Sequence, residues 1–79
     1  MLTAAWYLAV CINNNNHWDI KTERADNEHT CLQLARQRWR NYWDEGHEDD
    51  SKLRLQCYDE YYVQRFWVTC TKYDSCTIK

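Results

Sequence analysis

The chain has 79 residues and a formal charge of −2, with 10 Lys and Arg against 12 Asp and Glu. That balance argues against a protein that holds nucleic acid or an anionic membrane by bulk positive charge. The length fits one domain over residues 1–79, which buries only about 60% of its unfolded surface and so has a small core. Five Trp and six Tyr against a single Phe combine large apolar area with a polar tip, which places some of these rings at a surface.

The first predicted element is a strand over 4–12, where Trp6, Leu8, Val10 and Ile12 alternate with Ala5, Tyr7, Ala9 and Cys11 in the two-residue period of a half-buried strand. This is also the longest apolar stretch. It is too short to span a bilayer, and no Lys or Arg precedes it as in a signal peptide, so a cytoplasmic protein without a membrane partner is expected. With no proline and only Gly46 as glycine, turns must be read from Asn, Asp and charge clusters. Asn13 to His17 is such a cluster and predicts a loop.

A second strand over 18–24 alternates Trp18, Ile20 and Thr22 with Asp19, Lys21 and Glu23. A five-residue loop pairs Ile12 with Trp18, Val10 with Ile20 and Leu8 with Thr22, bringing both apolar sets to one side. Between 28 and 44 the period becomes helical: Cys31, Leu32, Ala35, Trp39, Tyr42 and Trp43 share a stripe. Asp26 or Asn27 can cap this helix, and Gly46 can stop it.

Strands over 52–58 and 61–72 follow, with Asp59 and Glu60 as the turn. That turn opposes Cys57 to Tyr62, Leu55 to Gln64 and Leu53 to Phe66, leaving Gln64 as an inward polar residue. The tail Tyr73 to Lys79 either continues the last strand or frays. The expected fold is therefore α+β: ββαββ, a four-stranded antiparallel sheet with one helix packed on one face.

Cysteines stand at 11, 31, 57, 70 and 76. The odd number leaves at least one unpaired, and the favoured reading is free, buried thiols in a reducing compartment. There is no C-x-x-C pair, and His17, His29 and His47 have no paired spacing, so neither a metal nor a cofactor is expected. One glycine precludes a glycine-rich phosphate loop, and nothing places a histidine beside a cysteine nucleophile. The chain reads as a non-enzyme.

Two surfaces could meet a partner. The predicted pairing turns Tyr7, Lys21, Arg54, Tyr58, Tyr61, Val63, Arg65 and Trp67 away from the helix, and Tyr, Trp and Arg are the types enriched in interface hot spots. Cross-strand packing of these rings among themselves would give the same pattern without a partner. A secondary surface comprises Arg36 and Arg40 on the helix and the acidic run Asp44, Glu45, Glu48, Asp49 and Asp50, which otherwise read as snorkelling cations and a solvated loop.

The order of elements, carried by the opening strand TAAWYLAV, the helix CLQLARQRW and the closing strand FWVTC, resembles the small ββαββ inhibitors that phages encode against type I CRISPR complexes. This resemblance implies steric inhibition of a host nucleoprotein defence complex by protein–protein contact, without chemistry. Two other readings stand beside it: single-stranded nucleic-acid binding on the open sheet face, and a homodimer formed through sheets or edge strands.

Overall fold

Asn15 and Asn16 adopt φ of 52° and 66° in the computed structural model, which describes residues 4–73 and 75–79. Two successive left-handed residues make the hairpin turn whose twist matches its strands, and Asn is a side chain that tolerates the conformation. The turn joins β1 (Trp6–Asn14) to β2 (His17–Ala25). Then come α1 (Glu28–Asp44), a 3-10 turn at Asp50–Lys52, β3 (Leu53–Asp59), β4 (Arg65–Cys70) and β5 (Cys76–Ile78). The strands form one antiparallel sheet in the order β2-β1-β3-β4-β5.

The fold is α+β, but the sheet has five strands, which corrects the expected four. The sequence 61–72 is not one strand: β4 occupies Arg65–Cys70, and after a turn β5 runs back beside it. Thr71 makes that reversal. Its N–H donates to the Ser75 carbonyl at 2.8 Å, and its hydroxyl accepts from the Tyr73 and Ser75 amides. A disulfide between the directly opposed Cys70 and Cys76 then fixes the pair.

A second correction concerns the first hairpin. Its turn is two residues rather than five, so Val10 faces Lys21, Cys11 faces Ile20 and Asn13 faces Trp18. A one-residue slip moves every side chain of a strand to the other face, and β2 is consequently inverted. Trp18, Ile20 and Thr22 point away from the helix, while Asp19, Lys21 and Glu23 share its side. Nothing opposes this register, because β2 is exposed over most of its length and the preference of the Asn15–Asn16 turn decides.

In the β3–β4 hairpin the turn is longer than expected. Cys57 faces Phe66, Leu55 faces Val68, and the ladder closes where Asp59 N–H donates to the Gln64 carbonyl. This register differs from the expected one by an even number of residues, so Phe66, Val68 and Cys70 still face the helix. Gln64 leaves the sheet for the turn.

α1 packs over β1, β3 and β4, and the core between the layers is built from Trp6, Leu8, Val10, Leu53, Leu55, Cys57 and Val68 on the sheet and Cys31, Ala35, Trp39 and Tyr42 on the helix. Asn27 caps the helix, its side-chain oxygen accepting from Thr30 N–H at 2.8 Å, and Gly46 at φ 88° ends it. Trp39 is 1% exposed, and its indole N–H donates to the Val68 carbonyl at 2.9 Å. That bond satisfies a donor which would otherwise be costly at this depth.

The reading of the cysteines as free thiols is also corrected. Cys31 in the first turns of α1 is bonded to Cys57 on β3, with Cα atoms 5.9 Å apart, and Cys11 alone remains free. Among the described residues, no helix is long and apolar enough to cross a membrane.

Candidate functional site

Cross-strand rows define the sheet face that α1 leaves uncovered. Arg24, Tyr7, Tyr58 and Arg65 are aligned across β2, β1, β3 and β4. The next row is Thr22, Ala9, Gln56 and Trp67, and beyond it come Ile20, Cys11 and Arg54. Trp18 and Asn13 complete the turn end. Aromatic and Arg side chains therefore stand at the two ends of the face, with Thr22, Ala9 and Gln56 between them and Trp67 on β4 in the same middle row.

At one end the rings are interlocked. Tyr7 stacks on Tyr58 with centroids 5.7 Å apart, and Tyr62 meets Tyr58 edge-on at 5.5 Å. The Tyr62 hydroxyl bonds to Gln56 Oε1 at 3.2 Å, and Arg65 lies over the Tyr62 ring at 4.7 Å while donating to the Tyr62 carbonyl. At the other end Arg54 lies over Trp18 at 5.2 Å. Cation–π contacts of this kind are worth about 0.5–1 kcal/mol at an exposed site.

Tyr62 reaches this position because the turn before β4 is organised by one buried carboxylate. Asp59, 7% exposed, accepts from the backbone N–H groups of Tyr61, Val63 and Gln64 at 2.9–3.2 Å. These bonds hold Tyr62 at φ 57°, a conformation uncommon for a bulky residue. They also leave Tyr61 and Val63, 73% and 76% exposed, at the tip.

The charge of the face is one-sided. Its charged strand residues are Arg24, Arg54 and Arg65; the carboxylates of β2, Asp19 and Glu23, lie on the helix side. Glu60, just past β3, turns its carboxylate to the Ala5 N–H at 3.4 Å. A hollow of 310 Å³ is lined by Arg54, Trp67, Thr69 and Lys79 of this face together with Leu53, Leu55 and Val68.

Of the expected contact residues, the structure brings Tyr7, Arg54, Tyr58, Arg65 and Trp67 together on this face. Tyr61 and Val63 lie on the adjoining turn rather than in a strand. Lys21 is the exception: it stands opposite Val10 on the helix side, because of the register set by Asn15 and Asn16. Trp18, Arg24, Gln56 and Tyr62 belong to the face and were not anticipated. The signal for the first two was the Asn-Asn pair within the run Asn13–Asn16, read as a two-residue turn.

The secondary surface divides. Arg36 and Arg40 are exposed on α1 and line a groove of 240 Å³ with Trp39, Trp43, Cys70 and Lys72. In the acidic segment, Asp49 is structural: its carboxylate caps the 3-10 turn by accepting from the Ser51 N–H and hydroxyl, which lowers its pKa. Its carbonyl also accepts the Tyr42 hydroxyl. Asp44, Glu45, Glu48 and Asp50 are exposed around it.

Cys11 sits half-buried on the open face, and burial raises its thiol pKa against the opposing charge of Arg54. Reactive thiols have the opposite tendency, a lowered pKa. Among the described residues, no three His, Cys, Asp or Glu side chains converge as a metal site would need. Comparison with family models, curated proteins and solved structures finds no match to this chain.

Proposed function

We propose that this domain is a non-catalytic binding module whose uncovered sheet face docks on an acidic surface of a protein partner. The carrying observation is that at each end of the face rings and guanidinium groups are already held by one another, Tyr7, Tyr58, Tyr62 and Arg65 at one end and Trp18 and Arg54 at the other, while its strand charges are all positive. Tyr, Trp and Arg anchors fixed before binding lose little side-chain entropy on association. Electrostatic complementarity then selects a negatively charged counterpart.

The same interlocking disfavours single-stranded nucleic acid. Base stacking needs free ring faces, yet Tyr7, Tyr58, Tyr62 and Trp18 each have a ring or cation against them. Among the described residues, Trp67 on the face and Tyr61 on the adjoining turn, 45% and 73% exposed, are the rings there without such a neighbour.

Two disulfides favour an oxidising compartment over the expected cytoplasm, since such bonds are rare where thiols are kept reduced. That setting also counts against steric inhibition of a cytosolic nucleoprotein complex.

The test compares capture by the native domain with capture by an Arg54→Glu, Arg65→Glu variant of unchanged circular dichroism, alongside titration with a single-stranded oligonucleotide at low and high salt. The expected result is an acidic protein retained by the native domain and lost by the variant, with no oligonucleotide binding. Equal retention by both, or tight salt-sensitive oligonucleotide binding, contradicts the proposal.

A further inference from the structure

The sheet ends at β2 in nine residues of open edge, and the ladder determines which backbone groups that edge presents. Glu60 N–H donates to the Ala5 carbonyl, so the odd-numbered residues of β1 bond toward β3 and the even-numbered ones toward β2. Their β2 partners are His17, Asp19, Lys21, Glu23 and Ala25. The N–H and C=O groups of Trp18, Ile20, Thr22 and Arg24 therefore point outward from the sheet.

An edge of this length is a template for another strand unless something blocks it. Charges usually do so, and β2 carries Asp19, Lys21, Glu23 and Arg24. The order of Asp19 and Lys21 is self-complementary. If a second β2 is laid antiparallel about a two-fold axis through Ile20, Lys21 of each copy opposes Asp19 of the other, while Glu23 stands opposite His17 and Arg24 opposite the turn residue Asn16.

In that register Ile20, 64% exposed, meets Ile20, and Trp18 meets Thr22. The outward backbone groups of Ile20, and those of Trp18 with Thr22, then form the hydrogen-bonded pairs that the ladder requires. An axis through Thr22 is poorer because it sets the exposed Ile20 against Arg24 rather than against a second Ile20; the carboxylates do not decide, since Asp19 and Glu23 both have partners in their own chain, Asn14 and His17 for the first and Arg38 for the second.

We propose that β2 pairs with β2 of a second copy of this chain about Ile20, so that two five-stranded sheets run on as one. The two-fold axis is perpendicular to the sheet. Both helices then lie on one side, and both open faces join on the other, with Trp18 of each copy beside the junction. The interface is isologous and closed, which ends assembly at the dimer. It does not depend on what the open face binds.

Sedimentation of the full chain from low micromolar to near-millimolar concentration tests the proposal. The native chain shows a monomer–dimer equilibrium. Asp19→Lys places like charges opposite each other twice and weakens the dimer about tenfold or more. The double variant Asp19→Lys, Lys21→Asp restores both attractions and returns the constant to near the native value.

Ile20→Pro removes an outward N–H without taking a bond from β1, as an edge strand tolerates, and gives a folded monomer by near-ultraviolet circular dichroism. A native chain that stays monomeric throughout overturns the proposal. So does a dimer unaffected by Ile20→Pro, or a double variant as weak as Asp19→Lys alone.

Discussion

The Arg54 guanidinium carbon lies 5.2 Å from the centre of the Trp18 ring, although their strands, β3 and β2, are separated by β1. On β1 Arg54 is opposed by Cys11 and Trp18 by Asn13. Two long side chains thus meet diagonally across the intervening strand. Had Asn13 to His17 formed a five-residue loop, Trp18 would face the helix layer and this contact could not form.

The turn is therefore a point of control. Asn16→Gly keeps the positive φ at lower steric cost and should stabilise the domain by about 0.5–1 kcal/mol, whereas Asn16→Val should destabilise it by about 1–2 kcal/mol. Urea unfolding of the two variants checks both signs. An irregular longer loop would be nearly indifferent to either change.

The two disulfides should differ in weight. Cys31–Cys57 closes a separation of 26 residues between helix and sheet, and Cys70–Cys76 one of 6. Chain-entropy reasoning gives about 3.5 kcal/mol for the first and about 2 kcal/mol for the second. Replacing Cys70 and Cys76 by Ser should chiefly release β5, seen as faster amide exchange at Trp67 and Lys79, whose N–H groups bond to each other's carbonyl. Replacing Cys31 and Cys57 should lower global stability.

How much of this was legible follows from burial. In β1, and in β3 apart from Gln56, which is buried on the open face beneath Tyr62, alternate residues are buried, so Trp6, Leu8, Val10 and Leu53, Leu55, Cys57 show their facing in the sequence, and with it the outward placement of Tyr7, Arg54 and Tyr58. The helical stripe of α1 is equally plain. β2 is exposed on both faces, so periodicity carries no information about its register, which belongs to the turn. β5 has three residues, too few to show a period, and is held by Cys70–Cys76. Tyr62 was hidden because its position depends on three backbone bonds to one carboxylate.

That carboxylate gives a third prediction. Asp59→Ala removes the acceptor for Tyr61, Val63 and Gln64 N–H and should cost about 2–4 kcal/mol by urea unfolding. Tyr62 should also lose its contacts with Tyr58 and Arg65, visible as altered near-ultraviolet dichroism. A change confined to a few tenths of a kcal/mol would mean that the turn is organised otherwise.

The pair of Glu23 on β2 and Arg38 on α1 predicts a pH dependence. The hydrogen bond from Arg38 lowers the Glu23 pKa, burial opposes it, and the Arg38 charge adds to the lowering. Since the folded value lies below the unfolded one of about 4.3, the stabilisation is fully present above that pH and is lost as pH falls through the folded value. The side chains are 33% and 35% exposed, so screening limits the contribution to about 0.5–1 kcal/mol. Glu23→Gln should remove this part of the acid-induced loss in a urea midpoint series.

The most direct measurement is the affinity of a captured acidic partner for three forms of the domain: native, Arg54→Glu with Arg65→Glu on the open face, and Arg36→Glu with Arg40→Glu on the helix. Charge reversal on the open face should weaken binding at least about a hundredfold, as loss of paired Arg anchors does at interface centres, while the helix variant stays near native. Binding lost with the helix variant and kept with the open-face variant would contradict a sheet-face binding module.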